Sequence, residues 1–299
     1  MRILTVFTGG TVSCSACNGT LAPDTANNSL LTSRLTEHTF DAVQPYTILS
    51  ENLGTPHWEM LCRTLRQHDF EAYDGVIIVH GTDTLLYTAA FLSCTLGLCE
   101  TPVVLTSANY PLHDSRSNGY DNFDAAVCLI EQQNGKGVFV SYRNTGDKST
   151  CLHRGSELLP HAPYSDSVYS LFNNVYGTVE NGRFLANPDY REHGDNRLTG
   201  RMPHGSVIRL CAHVGMTYPV LSGDEKAVLI EGYHSGTLPT GDRAFTAFCR
   251  DAAAKAVPLY LTGDKEGFDY ESKAAFPSLG IRVLPPLSPI TAYIKLWLA

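Results

Sequence analysis

Two threonine-containing stretches stand where a short apolar run ends. Thr8-Gly9-Gly10-Thr11-Val12 follows directly on Ile3 to Phe7, and His80-Gly81-Thr82-Asp83-Thr84 follows Val76 to Val79 and precedes a helical pattern. Paired glycines after a strand let the backbone turn sharply and let a ligand approach it. They leave the Thr11 hydroxyl at the strand's C-terminal end, where open α/β sheets bind ligands. In the second stretch a Thr–Asp pair can set a hydroxyl nucleophile, or a water-activating group, beside a carboxylate. Gly81 and the helix N-terminus add backbone donors. Each stretch also has a plainer reading: a tight strand-to-helix turn for the first, a helix cap by Thr82 or Asp83 for the second. Neither is a GxGxxG fingerprint or a phosphate-binding loop, and no acidic ribose reader stands at the distance a nucleotide fold requires.

The elements that must position these groups alternate between β-branched runs and longer helical patterns, which predicts an α/β fold with a mostly parallel sheet flanked by helices. Strands are expected at Ile3 to Phe7, Tyr46 to Leu49, Gly75 to Val79, Pro102 to Thr106 and Val138 to Tyr142. Helices are expected from Thr55-Pro56, with Thr55 as cap and proline at the first helical position, then over Thr84 to Gly97 and Ser117 to Gln133, the last capped by Asp114 or Ser115. Asn181-Gly182, between Tyr176 to Val179 and Arg183 to Ala186, has the chemistry of a tight hairpin. The stretch 187–205 is poor in large aliphatics and reads as a connection between an N-terminal domain, 1–186, and a smaller C-terminal α/β domain, 206–299. In the latter, strands are expected at Val207 to Cys211, Ala227 to Glu231 and Pro258 to Thr262, with helices over Asp242 to Ala256 and Pro289 to Trp297.

Composition narrows the function classes. With 22 Lys+Arg against 30 Asp+Glu, a formal net charge of -8 offers no basic footprint for a nucleic acid. No stretch reaches the roughly 18 uninterrupted apolar residues of a membrane span, and the N-terminus lacks the pattern of a secretory signal, so a cytoplasmic protein without membrane contact is expected. Nine cysteines, most in apolar surroundings, fit a reducing compartment.

Taken together, the two threonine stretches resemble the bacterial-type asparaginase/glutaminase family, including the related subunit that deamidates for tRNA-bound glutamine. The likeness extends to Ser50-Glu51-Asn52-Leu53, to Leu105-Thr106-Ser107-Ala108-Asn109-Tyr110-Pro111-Leu112, and to Tyr233-His234-Ser235-Gly236-Thr237-Leu238-Pro239, so it covers nearly the whole chain. It implies hydrolysis of the side-chain amide of asparagine, or of a related small amide, with no metal and no organic cofactor. Thr11 is then the nucleophile, Thr82 and Asp83 support it, and Asp83 also holds the substrate's α-amino group. Ser50 and Glu51 lie where the family contacts the amino-acid end of the substrate, and Gly10, Gly81 and Asn109 complete the binding loops. The Gly10 and Thr82 backbone N–H groups are candidate oxyanion donors. A homodimer or homotetramer is implied as well.

The chain departs from the family pattern at the groups that activate its threonines. The family has a lysine that pairs with the acid of the second motif and helps activate the second threonine. Here the aligned stretch reads Arg154-Gly155-Ser156-Glu157-Leu158-Leu159-Pro160-His161, with Leu159 or Pro160 at that place. Lys148 falls in an expected hairpin loop, Asn144 to Thr150. The family tyrosine of the mobile loop after Thr11 falls near Thr20, and the C-terminal glutamate that reaches a neighbouring subunit in some members aligns with Ile290. Glu51 stands where glutamine or serine is expected, and a second acid favours a cationic group in the pocket. These losses leave a second reading open: a member of the fold that binds an amino acid or small amide in a regulatory role. Cys14-x-x-Cys17 reads as a plain loop pair, with a reversible disulfide as the alternative. His153, His161 and His204 read as packing or surface residues.

Overall fold

The computed structural model describes residues 1–17, 20–23, 28–132, 135–193, 202–264 and 270–299. They divide into a first unit through Glu192 and a second that includes 202–299.

In chain order the first unit comprises β1 (Arg2–Phe7), β2 (Cys14–Cys17), β3 (Thr20–Pro23), α1 (Asn28–Thr32), β4 (Thr39–Val43), α2 (Thr55–Arg66), β5 (Gly75–Val79), α3 (Thr82–Leu96), β6 (Val103–Thr106), α4 (Gly119–Glu131), β7 (Val138–Tyr142), β8 (Thr150–Arg154), β9 (Gly177–Glu180) and β10 (Arg183–Ala186). An eight-stranded sheet runs in the order β10-β9-β8-β7-β6-β5-β1-β4. The pairings from β4 through β7 are parallel, and those from β7 through β10 are antiparallel. Every residue of β5, β6 and β7 is buried. That is why they read as unbroken apolar runs: parallel strands are covered on both faces. On one face α2 turns in Trp58, Leu61, Cys62 and Leu65, spaced for one side of a helix, and Trp58 stacks on Phe91 of α3 with ring centroids 4.4 Å apart. Elsewhere α4 buries Phe123, Ala126, Val127 and Ile130 in one core with Ile3, Ile77 and Val104.

Several boundaries differ from the sequence reading for identifiable reasons. The second strand is Thr39–Val43, paired with β1 along its length, whereas Ile48 makes only a single bridge, to Gly9. Thr39–Val43 is an edge strand with no fully buried residue, so it carries little apolar signal. Pro45, without an N–H, separates it from Ile48. Helix α2 is capped at Gly54, whose N–H donates to His57 Nδ1 at 3.0 Å, and Thr55 is its first helical residue. Helix α4 begins at Gly119 after Asn118, while Asp114 binds the Arg116 guanidinium at 2.7 Å rather than capping it. The Asn181-Gly182 hairpin forms with φ of 51° and 72°, both central residues left-handed as a type I′ turn requires.

The second unit comprises β11 (Val207–Cys211), β12 (Ala227–Glu231), α5 (Arg243–Ala254), β13 (Leu259–Thr262), α6 (Glu271–Ala274), β14 (Ile281–Val283) and α7 (Pro289–Leu298), with a parallel sheet in the order β11-β12-β13-β14. Asp242 caps α5, accepting the Ala244 N–H at 2.8 Å, and Phe245, Phe248, Cys249 and Ala252 face its core. The three-residue β14 and the short α6 lie below the length at which periodicity can be read. The architecture is thus the expected α/β one: the first unit has a large, mostly parallel sheet flanked by helices, and the second has a smaller parallel sheet. Among the described residues no helix is long and apolar enough to cross a membrane.

Candidate active site

Chain order singles out a candidate place for a ligand before any side chain is considered. From β1 the chain passes to β4 on one flank of the sheet, then to β5 on the other flank of β1. The order therefore reverses between β1 and β5, and ligands of open α/β sheets bind at such a switch point, outside the carboxyl ends of the strands. The two threonine stretches leave those two ends.

Close backbone contact brings them together. A Cβ added to Gly10 would lie 2.3 Å from Gly81 Cα, and one added to Gly81 would lie 2.4 Å from Ser50 Cβ. Gly9 and Gly10 have φ of 105° and 80°, values an L side chain rarely adopts, so both glycines of the first stretch are needed for the turn itself. Buried Ser50 accepts the Thr84 hydroxyl at its carbonyl oxygen (2.8 Å), which ties the Ser50-Glu51 turn to the start of α3. The residues placed together are thus Gly10 with the adjoining Thr11, Gly81 with Thr82, and Ser50. Asp83 and Glu51 are exposed beside them.

Thr82 is half-buried, its Oγ1 2.8 Å from Ser107 Oγ and 3.2 Å from the Ala108 carbonyl oxygen. The loop after β6 that supplies these contacts is stitched by Asn109 and Asn118: each backbone N–H donates to the other's side-chain oxygen, at 2.9 and 3.1 Å. Asn122, buried on α4, donates to the Ser107 carbonyl (2.8 Å) and accepts the Arg143 N–H (2.7 Å), so one amide joins the ends of β6 and β7.

His80 fixes the second stretch from below. Its Nδ1–H donates to the Gly81 carbonyl at 2.8 Å. Its Nε2, 2.9 Å from Thr88 Oγ1, is left to accept, and Trp58 Nε1–H donates to the same Thr88 oxygen at 3.0 Å. Burial lowers the His80 imidazole to about 4, so it is neutral near pH 7 and serves as a spacer with one fixed tautomer.

One expectation is corrected. The Gly10 N–H donates to the Ile48 carbonyl at 3.0 Å and is therefore engaged in holding the loop. The first-turn N–H groups of α3, Thr82 among them, have no acceptor within the helix and remain the backbone donors at this place. Lys148 is exposed in the turn between β7 and β8, and Pro160 is exposed as well. Cys14 and Cys17 begin and end one strand, which pairs with β3. Asn18 and Gly19 lie outside the described residues.

Two further side chains lie near Thr82: His161, read from the sequence as a packing or surface residue, and Tyr142, to which that reading gave no role. His161 stands with Nε2 3.2 Å from the Thr82 carbonyl oxygen and Nδ1 3.0 Å from that of Ser167, and the single N–H of a neutral ring donates to one of the two. Tyr142, the last residue of β7, is fully buried, and its hydroxyl lies against the side chains of Asn118, Asp166 and Thr82. The available signal was positional: Tyr142 ends a strand on the same edge as Thr8, Val79 and Thr106.

Comparison with known proteins agrees with this geometry. Residues 2–160 match the family model described as Asparaginase, N-terminal. The chain is 28% identical over 270 residues to a Glutamyl-tRNA(Gln) amidotransferase subunit of Methanobrevibacter smithii, covering 84% of this chain but only 60% of that protein. It is 30% identical over 159 residues to the 60 kDa lysophospholipase of Homo sapiens, covering 44% of this chain and 27% of the other. The thermostable L-asparaginase from Thermococcus kodakarensis superposes with a TM-score of 0.80 at 21% identity, over 100% of this chain and 92% of that one. With more than half of its length matched by the family model and the two threonine loops joined at the switch point, the chain belongs to the asparaginase family.

Proposed function

We propose that the site hydrolyses the side-chain amide of L-asparagine, or of a related small amide, to the acid and ammonia. The contact between Gly10 and Gly81 carries this reading, because it sets the loops of Thr11 and Thr82 side by side at the one place where the topology favours a ligand. Thr11 attacks the amide carbon, ammonia leaves, and water resolves the acyl-enzyme with Thr82 beside it. The Thr82 N–H, at the positive end of α3, faces the charge that develops on the amide oxygen. Asp83 and Glu51 receive the substrate's amino group and Ser50 its amino-acid end. Gly10 and Gly81 allow the close approach, and Asn109 keeps its amide nitrogen for the ligand because its oxygen is taken by Asn118.

The test is ammonia release from asparagine, glutamine and other primary amides by the purified protein beside Thr11→Ala. Thr11-dependent ammonia is expected, and its absence with every amide refutes the enzyme reading. Leu159 or Pro160, neither with a proton to transfer, stands where the family has its lysine, which favours the alternative of an amino-acid or amide sensor. That reading predicts a thermal shift with an amino acid and no turnover. A homodimer or homotetramer is part of the proposal and is read from the mass in solution. The free thiols of Cys62, Cys94, Cys99, Cys128, Cys151, Cys211 and Cys249 support a reducing, cytoplasmic setting.

A further inference from the structure

Thr11 stands on a turn that is tied on both sides to the same stretch of chain. On its N-terminal side the Gly10 N–H donates to the Ile48 carbonyl at 3.0 Å, and Ile48 also bridges Gly9. On its C-terminal side the tie runs through side chains. The buried Ser13 hydroxyl donates to Asn28 Oδ1, Asn28 Nδ2–H donates to Gln44 Oε1 at 3.1 Å, and Gln44 Nε2–H donates to Thr47 Oγ1. Thr47 adjoins Ile48, so the path closes on itself around Thr11. Within it the Ser13 N–H donates to the Gly10 carbonyl at 3.0 Å, which closes the single turn, Thr11–Ser13, that carries the half-buried Thr11.

Asn28 is the link in this path that needs an amide. It is the first residue of α1, yet both of its side-chain bonds leave that helix, so it does not serve as the helix cap. Its oxygen accepts from Ser13 while its nitrogen donates to Gln44. A carboxylate in its place could only accept, and an aliphatic side chain could do neither. Burying an amide is costly unless its polar atoms are bonded, and Asn28, 8% exposed, spends both of them on joining the Thr11 turn to the 44–48 stretch.

We propose that Asn28 is a positioning residue for Thr11: it holds the turn against the 44–48 stretch so that the Thr11 hydroxyl meets the amide carbon in one fixed place. This rests on the amidohydrolase reading above. Asn28 touches no reacting atom and acts through Ser13. The Gly10–Ile48 bond alone would leave a hinge, and the tie from Ser13 removes it. The precision matters because a displacement of about 1 Å caused by a mutation away from the chemistry can cost about 10²-fold in rate. Ser50, Glu51 and Asp83 receive the amino-acid end of the substrate from other loops, so substrate binding should survive the loss of Asn28 while turnover does not.

The experiment compares wild type, Ser13→Ala, Asn28→Leu, their double variant and Asn174→Leu in ammonia release, in Tm and in backbone hydrogen exchange of residues 8–13 followed by mass spectrometry. Asn174 controls for stability alone: it is 9% exposed, and its amide donates to Glu157 Oε2 at 2.9 Å. Asn28→Leu should lower kcat by about 10²-fold with KM within about threefold, and should speed exchange in 8–13 by about tenfold. Asn174→Leu should lower Tm without either change. Ser13→Ala breaks the same path with a smaller change, should move kcat and exchange in the same direction, and keeps the test open should Asn28→Leu fail to fold. The double variant should be no slower than the slower single one, because both residues serve one path. A kcat within about threefold of wild type in Ser13→Ala and Asn28→Leu, an equal loss in Asn174→Leu, or losses that multiply in the double variant each overturn the assignment. Exchange separates this from the reading beneath it. Wild type that releases no ammonia from any amide sinks the amidohydrolase reading, and faster exchange of 8–13 in Asn28→Leu then still supports the tie. Unchanged exchange overturns the tie in an active or an inactive protein alike.

Discussion

Replacing Gly10 with alanine tests whether the contact between the two threonine loops holds the site together. Two costs act at Gly10. Its φ of 80° is left-handed, which costs an L residue about 1–2 kcal/mol. The new Cβ would also lie 2.3 Å from Gly81 Cα and 2.5 Å from Gly81 N, both backbone atoms that cannot turn aside. Relief requires one loop to move, and overpacking of this kind adds about 1–3 kcal/mol. Gly146→Ala isolates the first cost: Gly146 has φ of 91°, sits in the turn between β7 and β8, and its added Cβ would meet nothing within 4 Å. With about 2–4 °C per kcal/mol for a unit of this size, Gly146→Ala should lower Tm by about 2–8 °C and Gly10→Ala by about 4–20 °C. Thermal unfolding followed by circular dichroism measures the difference, and ammonia release run in parallel should fall only in Gly10→Ala. Equal Tm losses in the two variants, or full activity in Gly10→Ala, would show that the loops tolerate separation and that their contact does not build the site.

Acidification should weaken the fold through its buried imidazoles. Burial lowers both His80 and His153 to about 4, so the unfolded chain binds protons below about pH 6.5 that the folded chain refuses. Stability is then fully present above about pH 6.5 and lost as pH falls toward 4, on the order of 3 kcal/mol for each histidine. Urea unfolding at pH 7.5 and 4.5 reads this, and His153→Gln should flatten the slope; an unchanged slope would discount the buried imidazole. Trp58→Phe keeps a ring for the stack on Phe91 but removes the N–H that reaches Thr88, so a loss of about 1–2 kcal/mol is expected. An unchanged urea midpoint would mean that the Trp58–Thr88–His80 chain bears no load.

The sequence disclosed the two threonine loops more readily than the groups packed around them, and the reason lies in how each is encoded. Strand ends followed by Gly-Gly-Thr or Gly-Thr-Asp-Thr are local patterns, so Thr11 and Thr82 could be placed from a few residues each. β5, β6 and β7 were legible because burial on both faces makes them continuously apolar. β4 was not, because it is an edge strand with Asp41 at its centre, held by Arg2 and by the Tyr73 hydroxyl rather than by apolar packing. The engagement of the Gly10 N–H could not be read either, since its acceptor, Ile48, lies 38 residues away in sequence and meets it only through sheet order.

The groups around Thr82 share that property. Tyr142 follows Thr82 by 60 residues, and Asp166 comes a further 24 residues on, in a loop of no regular structure. No spacing rule links them. Their convergence depends on β7 lying next to β6 and on Asn144 and His161 folding the 161–167 loop back over the strand end. A missing residue in a family pattern is visible in one dimension, whereas a substitute can come from any element whose end reaches the same place. The absence of lysine near Pro160 is therefore evidence about one residue and not about the site's capacity to move a proton. That capacity turns on which groups surround Thr82, and Ser107, whose Oγ lies 2.8 Å from Thr82 Oγ1, comes from the end of a different strand.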